Sequence, residues 1–335
     1  MRLEDFDYNL PNELIAQEPS VPRDSSRMMV IKGREIQHKK FHDVLDYLKK
    51  DDVLVLNNSK VLPNLLSGKK SSGSPAEIVI EEKEGALYRA RVRTRSPRIN
   101  TVLEFPDGLR AVIKDVKKDL FWLEFNKEPE DVLSQHGKLP VPFYVKKPLQ
   151  DQELYQTEFA SYSGSLAAPT SGLHFTESLL DEITKKGVKI VYVTLHISFG
   201  TFSDIRGAIE NHKMDPESFS ISAETADVIN KRKKRLIVCG TTSFKALESA
   251  SDENGIVKEC SLLSDIFIYP GYEFKIKPDM MITNFHLPKS TLILFVSAYF
   301  GKDIVLNAYR EAVKEKYRFF SLGDATLFIR NAGDD

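Results

Sequence analysis

The spacing of apolar and polar residues changes twice along the chain and divides it into three stretches. Up to about residue 62 the pattern is mixed, with a helical spacing of apolar residues over 41–49 and a short apolar strand at 53–56. From about residue 63 to 144, short alternating runs are separated by Gly, Pro and Asp-Gly turns, which is typical of a small β-barrel or sandwich. The strands predicted there are 76–81, 87–93, 101–105, 109–116 and 120–125.

Residues 154–330 alternate between strands and helices. Thr176 is predicted to be the N-cap of a helix that Gly187 ends, with Leu179, Leu180 and Ile183 on its buried side. Further strands are predicted over 189–196, 236–239, 265–269 and 281–285, and further helices over 223–235, 243–250, 290–300 and 303–318. This alternation implies a mostly parallel sheet with helices on both faces.

The predicted fold is therefore α/β, with an inserted small β-barrel domain. The α/β domain is discontinuous and takes residues 1–62 and 150–335, and the inserted domain takes residues 63–149. A chain of 335 residues that is 41% hydrophobic is long enough to build cores for both.

Composition and charge exclude several classes of protein. The formal net charge of −1 means that any nucleic-acid partner must be held by a local basic patch. Two cysteines, Cys239 and Cys260, without CxxC spacing argue against a disulfide framework or zinc site and fit a reducing cytoplasm. No signal peptide or membrane span is expected, because residues 1–10 have no apolar core and the longest largely apolar run, 292–300, is far shorter than the ~20 residues of a bilayer span.

Polar and titratable residues collect at the ends of one predicted helix–strand unit. Residues 167–176 contain Thr170, Gly172 and His174, and the strand after the helix ends at His196 within the stretch 194–202. Core packing does not need these residue types, whereas loops on a rigid scaffold commonly carry binding and chemistry. We therefore expect a ligand-binding or catalytic site in these loops.

Two further strand ends have a similar character. Thr241 and Thr242 open a helix after the strand 236–239, where free backbone N–H groups and hydroxyls suit a carboxylate, a phosphate or a ribose hydroxyl. Asn284, His286 and Lys289 follow another strand, at the edge where open α/β sheets bind ligands. An ordinary N-cap and a chance placement of exposed polar residues remain the alternatives.

Four histidines are candidates for acid/base work, because neutral imidazole exchanges protons near neutral pH. They are His174, His196, His212 and His286, and the dense polar loops around His174 and His196 favour these two. Neither HExxH nor another ligand spacing links them, so no metal is expected. A structural hydrogen-bonding role is the alternative for each.

One predicted strand is rich in arginine. Arg89, Arg91, Arg93 and Arg95 alternate along it and therefore share a face. Such a face can bind RNA phosphates, and a solvated strand edge protected by charge gives the same pattern.

Taken together, these motifs resemble the S-adenosylmethionine:tRNA ribosyltransferase-isomerase family of queuosine biosynthesis. The resemblance runs nearly the full length and is weakest in the inserted domain. It rests on residues 6–11, 15–19, 22–27, 168–176, 194–202, 240–243 with Glu248, 265–271, 283–291 and 317–325.

The resemblance implies a transferase that consumes S-adenosylmethionine as a ribosyl donor, with no separate cofactor or metal. The acceptor would be 7-aminomethyl-7-deazaguanine at the tRNA wobble position, the product epoxyqueuosine in tRNA, and the released molecules adenine and methionine. We expect a cytoplasmic protein without a membrane partner. The absence of an obvious exposed apolar helix favours a monomer.

The resemblance also implies roles for the candidate residues. His174 or His196 would transfer protons, and the Arg89–Arg95 face would contact tRNA. Thr170, Gly172, Thr241 and Thr242 would contact ribose or methionine. The remaining candidates are Asp265 and Asn284 for cationic or amino groups, His286 and Lys289 for adenine or a phosphate, and Asp24 and Arg27 to complete the pocket.

The chain departs from the family pattern at a few positions. Leu65 replaces a usual Arg, Asp215 a frequent second His, and Lys245 a common Arg. Two other functions therefore stay open at this point: a diverged nucleoside-handling transferase and a non-catalytic tRNA-binding relative.

Overall fold

The structure is a computed structural model that describes residues 1–142, 144–145, 151–198, 200, 205 and 207–330. The contacts of the chain divide it into two units, one of Met1–Lys60 with Pro142–Asp335 and one of Val61–Val141. Residues 143 and 146–149, at the end of the predicted inserted domain, lie outside the described residues. The part of the predicted site motif 194–202 that falls on residues 199 and 201–202 also lies outside them.

The described residues form seventeen strands and six α-helices. The strands are β1 Arg27–Lys32, β2 Glu35–Lys40, β3 Val53–Asn57, β4 Ser59–Val61, β5 Leu65–Lys70, β6 Pro75–Glu84, β7 Leu87–Thr94, β8 Val102–Glu104, β9 Arg110–Lys117, β10 Leu120–Phe125, β11 Tyr162–Ser165, β12 Lys189–Leu195, β13 Glu217–Ile221, β14 Leu236–Cys239, β15 Cys260–Ser264, β16 Met280–Asn284 and β17 Ala325–Ile329. The helices are α1 Glu130–His136, α2 Glu177–Lys185, α3 Ala223–Asn230, α4 Thr241–Ala250, α5 Thr291–Phe300 and α6 Lys302–Lys314. None of these helices has the length and apolar character needed to cross a membrane.

The larger unit is built on one nine-stranded sheet. Its order is β15-β13-β12-β3-β14-β16-β17-β1-β2. Strands β12, β3, β14 and β16 are parallel to one another, as are β17 and β1, and the other pairs are antiparallel. The predicted class, a mostly parallel α/β sheet with an inserted barrel, is confirmed, and antiparallel strands extend the sheet at both edges.

Both faces of this sheet are covered, which explains the continuous apolar runs of its central strands. All residues of β3, β14 and β16 are buried. Leu54 and Leu56 belong to the core that includes Leu179 and Ile183 of α2. Val53 and Val55, on the other face of β3, belong to the core that includes residues of α3 to α6.

The smaller unit contains a closed six-stranded antiparallel barrel with the order β10-β7-β6-β5-β8-β9. The sequence pattern missed β5, because Gly68 and two lysines interrupt its alternation. Gly68 is needed for close strand approach: a Cβ atom there would lie 2.2 Å from the Glu104 carbonyl oxygen and 2.6 Å from the Phe105 ring.

Several predicted elements need correction. The strand predicted at 265–269 is wrong, because the strand ends at Ser264 and the next five residues have no regular structure. Their apolar side chains, including Ile266 and Phe267, pack against the core and do not belong to a strand that pairs with a neighbour. The helix predicted at 41–49 is a 3₁₀ helix, Phe41–Tyr47.

The helix predicted at 223–235 ends at Asn230. Arg235 instead precedes β14 and binds the buried Asp52 carboxylate, with an Nη2–Oδ2 distance of 2.5 Å. A buried carboxylate needs such a partner, so tertiary pairing overrides the helical pattern at this end.

Thr176 is the N-cap of α2, as predicted, and its hydroxyl accepts a 3.2 Å hydrogen bond from the backbone N–H of Leu179. We expect Thr176→Ala to lower the free energy of unfolding by about 1 kcal/mol, since an orphan N–H group loses its acceptor. Urea denaturation followed by circular dichroism measures the change. Thr176→Ser keeps the acceptor and is the matched control; an equal loss in both variants would contradict the capping role.

Candidate active site

A pocket opens where the parallel strands β12, β14 and β16 end, and we call it the strand-end pocket. It encloses about 480 Å³ of empty space, including solvent at its mouth. Its walls are residues 168–171, Ile197, 240–242, 283–286, Leu292, Phe320 and Ser321. This edge is where open α/β sheets bind ligands, because the loops after neighbouring strands separate there.

Asn57, at the end of β3, fixes the geometry of this edge. Its Oδ1 accepts from the backbone N–H of Leu195 at 3.0 Å, and its Nδ2 donates to the Leu195 carbonyl at 3.0 Å. The same Nδ2 lies 3.3 Å from the Thr242 hydroxyl oxygen. One buried amide thus ties the end of β12 to the start of α4.

The start of α4 presents unused polar groups to the pocket. Gly240 takes the N-cap position with φ of +86°, a left-handed conformation that glycine adopts without strain, and no side chain caps the helix. The first backbone N–H groups of a helix have no intrahelical acceptor, so they are available to a ligand. Thr241, the first residue of this helix, also lines the pocket.

Asn284 supplies a buried acceptor on the opposite wall. Its Nδ2 donates to the Phe320 carbonyl at 3.2 Å, while its Oδ1 makes no hydrogen bond of normal geometry among the described residues and the side chain interacts with the His174 ring. Phe320 has φ of +74°, which is strained for a side chain of this size, and its N–H donates to the Phe285 carbonyl at 3.0 Å. Backbone strain and an acceptor without a well-aligned donor, together in one wall, are typical of a ligand site.

His286 is a fixed, neutral part of this wall. Its Nε2 lies 3.2 Å from the Thr283 hydroxyl oxygen and its Nδ1 lies 3.1 Å from the Tyr309 hydroxyl oxygen. The Tyr8 hydroxyl donates to its carbonyl oxygen. Burial lowers the pKa of His286 to about 3, so the ring is uncharged near neutral pH.

His174 is buried next to the pocket wall without lining it. Its Nδ1 lies 2.8 Å from the Ser26 hydroxyl oxygen, and its ring stacks on Phe41 at 4.8 Å between centroids. Burial lowers the pKa of His174 to about 4, although the Asp324 carboxylate and the Asn284 side chain act in the opposite direction. Within the described chain its Nε2 has no hydrogen bond of normal geometry, and the Asn284 side chain is the polar group that interacts with the ring on this side of the pocket.

His196, at the end of β12, also lies outside the pocket lining. Its backbone N–H donates to the Ser218 carbonyl at 2.9 Å, and its Nδ1 has no partner among the described residues. Burial lowers the pKa of its half-buried ring. His196 is therefore a second neutral imidazole near this edge.

Five of the predicted site residues come together in the strand-end pocket: Thr170, Thr241, Thr242, Asn284 and His286. The other predicted residues of the α/β domain do not line it. Gly172 packs against Phe159 and Thr157, and Asp265 is exposed. Lys289 forms an ion pair with Asp7 at 3.0 Å, and Asp24 accepts a hydrogen bond from the Thr176 hydroxyl at 3.3 Å. The Arg27 guanidinium lies 3.7 Å above the centre of the Tyr317 ring.

The predicted arginine face lies on β7 of the barrel, and carboxylates compensate part of its charge. The Glu81 carboxylate forms ion pairs with Arg89 Nε at 3.1 Å and with Arg91 Nε at 2.9 Å. Arg93 lies 3.8 Å from Glu77 and is mostly exposed, and Arg95 is an exposed residue just beyond the strand. Contact of these four residues with RNA phosphates stays a prediction, and Arg93 and Arg95 are its most accessible members.

Sequence reasoning missed three polar residues that shape this region. The sequence pattern does not single out Asn57, and it does not mark Glu217 and Lys245 as a buried ion pair 3.0 Å apart. No local motif marks such residues, because their partners are far away in the chain. In the part of the chain that the structure describes, no three His, Cys, Asp or Glu side chains converge as metal ligands. The expectation that no metal takes part stays a prediction.

Comparisons with known proteins point to one family over nearly the whole chain. A sequence profile of the family described as queuosine biosynthesis protein matches residues 3–328. A Clostridium kluyveri protein and a Thermoanaerobacter protein, both named S-adenosylmethionine:tRNA ribosyltransferase-isomerase, are 45% and 46% identical over 98% of this chain and 100% of their own. The crystal structure of an S-adenosylmethionine tRNA ribosyltransferase from Thermotoga maritima is similar with a TM-score of 0.55 and 33% identity, covering 97% of this chain and 100% of that one.

The buried neutral state of His174 has a consequence for pH dependence. Its pKa is about 4 in the folded chain and 6.5 when exposed, so the unfolded state binds more protons between these values. Stability is therefore lost as the pH falls from 6.5 towards 4. Between pH 7.5 and pH 5 the free energy of unfolding should decrease less in His174→Gln than in the wild type. The difference between the two decreases should be on the order of 1 to 2 kcal/mol. Urea denaturation at both pH values measures this, and parallel losses would contradict the buried neutral assignment.

Proposed function

The chain belongs to the queuosine biosynthesis protein family of S-adenosylmethionine:tRNA ribosyltransferase-isomerases, and we propose that it performs the reaction for which these relatives are named. It transfers the ribosyl group of S-adenosylmethionine to 7-aminomethyl-7-deazaguanine at the tRNA wobble position and isomerises it. The products are epoxyqueuosine in tRNA, adenine and methionine. The observation that carries the proposal is the convergence of Thr170, Thr241, Thr242, Asn284 and His286 around one pocket at the carboxyl edge of the sheet.

The polarity of the strand-end pocket suits the nucleoside part of the donor. Its lining contains no charged side chain, since His286 is neutral, and it presents threonine hydroxyls and an amide. Ribose hydroxyls and adenine are themselves uncharged hydrogen-bonding groups, so they pair with this lining without a cost for burying charge.

The reaction needs a base of modest strength, because the sulfonium acidifies the adjacent C5′ protons. Adenine leaves more easily once a ring nitrogen is protonated, so the proton taken from C5′ balances the one that adenine needs. His174 and His196 are the candidates for this transfer, since both imidazoles are neutral and the residues lie in the chain close to Ser171 and Ile197, which line the pocket. We assign His286 to orientation, because hydrogen bonds occupy both of its ring nitrogens.

The other components follow from the same chemistry. S-adenosylmethionine is consumed as a substrate, and no cofactor or metal is required for the acid/base steps described above. The acceptor amine must be neutral and shielded from water when it attacks. We also propose that the protein acts as a monomer in the cytoplasm on tRNA that already carries the aminomethyl base.

Adenine release tests the proposed function directly. We expect release when the protein is mixed with S-adenosylmethionine and an anticodon stem-loop carrying 7-aminomethyl-7-deazaguanine, and none with the same RNA carrying guanine. Chromatography of the supernatant measures adenine. Phosphate-dependent release without RNA would instead indicate a nucleoside-handling transferase, and salt-sensitive RNA binding without release a non-catalytic relative.

Thr241 tests whether the strand-end pocket is the reacting site. Thr241→Val keeps the shape of the side chain and removes its hydroxyl, so kcat/KM for S-adenosylmethionine should fall about tenfold through one lost hydrogen bond. Steady-state adenine release measures this. Thr184→Val, on the exposed side of α2, is the matched control and should retain full activity. Equal rates for the two variants would exclude Thr241 from substrate contact.

A further inference from the structure

A second pocket adjoins the strand-end pocket along the first turn of α4, and we call it the α4 pocket. It encloses about 370 Å³ of empty space. Thr241, Thr242 and Leu292 line both pockets. A ligand longer than one pocket can therefore extend from one into the other past these residues.

The α4 pocket has a buried ion pair in its lining. Lys245 Nζ lies 3.0 Å from Glu217 Oε2, and the two residues are 7% and 2% exposed. Glu217 Oε1 accepts from the backbone N–H of Ser198 at 2.9 Å. Among the described residues, Glu217 is the sole hydrogen-bond partner of the Lys245 ammonium, which has three donors. A buried cation with unused donors beside a pocket favours an anionic ligand group.

The rest of the α4 pocket is largely apolar. Ile266, Phe267, Ile268 and Phe295 contribute to its walls. Thr241 and Lys245 are four residues apart on α4, so their side chains share the helix face that borders this pocket. A cation, a carboxylate and apolar walls together complement an α-amino acid that has an aliphatic side chain.

We propose that the α4 pocket binds the methionyl part of S-adenosylmethionine, an inference that rests on the proposed function. The substrate carboxylate binds Lys245, the α-ammonium binds Glu217, and the side-chain methylenes lie against the apolar wall. The nucleoside occupies the strand-end pocket, whose lining carries no charge, and the ligand passes from one pocket to the other beside Thr241, Thr242 and Leu292. Lys245 and Glu217 are thus substrate-binding residues that select a donor with an intact amino acid.

Two ligands that differ in the amino acid test this assignment. S-adenosylhomocysteine contains it, whereas 5′-methylthioadenosine contains only the nucleoside thioether. Isothermal titration of the full chain should show that S-adenosylhomocysteine binds about 10- to 100-fold more tightly, the range expected for charge-assisted hydrogen bonds. Lys245→Met should remove most of this preference, because it should weaken the binding of S-adenosylhomocysteine and leave that of 5′-methylthioadenosine unchanged. Lys245→Arg keeps the cation and should retain the preference.

Two more variants control for fold and for general charge loss. Lys233→Met removes an exposed lysine before β14, at the opposite end of that strand, and should keep the wild-type preference. Met214→Glu adds a carboxylate to the α4 pocket at a partly exposed position and leaves the ion pair intact. It should weaken S-adenosylhomocysteine selectively, and it supplies the test if Lys245→Met does not fold.

Each outcome decides the proposal. An unchanged preference for S-adenosylhomocysteine over 5′-methylthioadenosine in folded Lys245→Met or in Met214→Glu would overturn it. An equal loss of affinity for both ligands would also overturn it, because that result would assign the nucleoside to the α4 pocket. Wild-type adenine release without any preference between the ligands would overturn the subsite while the proposed function stands. Failure of the wild type both to release adenine and to bind either ligand would overturn the function and the subsite with it.

Discussion

The parallel alignment of β12, β3 and β14 is the constraint on which the candidate site depends, and Asn57 holds it at the functional edge. Its single amide pairs with both backbone groups of Leu195 and contacts the Thr242 hydroxyl. Because this amide is buried, loss of any partner would leave a polar group unsatisfied. The loop after β12 and the start of α4 therefore keep a fixed separation, and each of these two segments contributes to the wall of the strand-end pocket.

Charge is distributed unevenly along this edge. The strand-end pocket is polar but uncharged, since burial keeps His286 neutral, while the adjoining α4 pocket contains the Lys245–Glu217 pair. S-adenosylmethionine has the same division, with an uncharged nucleoside at one end and a zwitterionic amino acid at the other. Burial also keeps His174 neutral, which suits proton transfer between weakly acidic groups.

Much of the fold could be predicted from local pattern, because β3, β14 and β16 are continuous apolar runs and Thr176 is a recognisable cap. Strand β5 could not, since Gly68 serves a close contact with β8 that only the folded barrel reveals. The same distinction, between local pattern and contacts made only in the fold, holds for the site. Thr241, Asn284 and His286 follow strands and were predicted, whereas Lys289 and Asp24 also looked suitable but bind Asp7 and Thr176. Glu217 and Lys245 have no local motif, because their pairing joins β13 to α4.

A crystal structure of the chain with S-adenosylhomocysteine bound would locate the donor on the protein directly. We expect the nucleoside in the strand-end pocket, within hydrogen-bond distance of Thr241 and of the Asn284 side chain, at the carboxyl ends of β14 and β16. Ligand density at another surface, with the strand-end pocket empty, would contradict this placement.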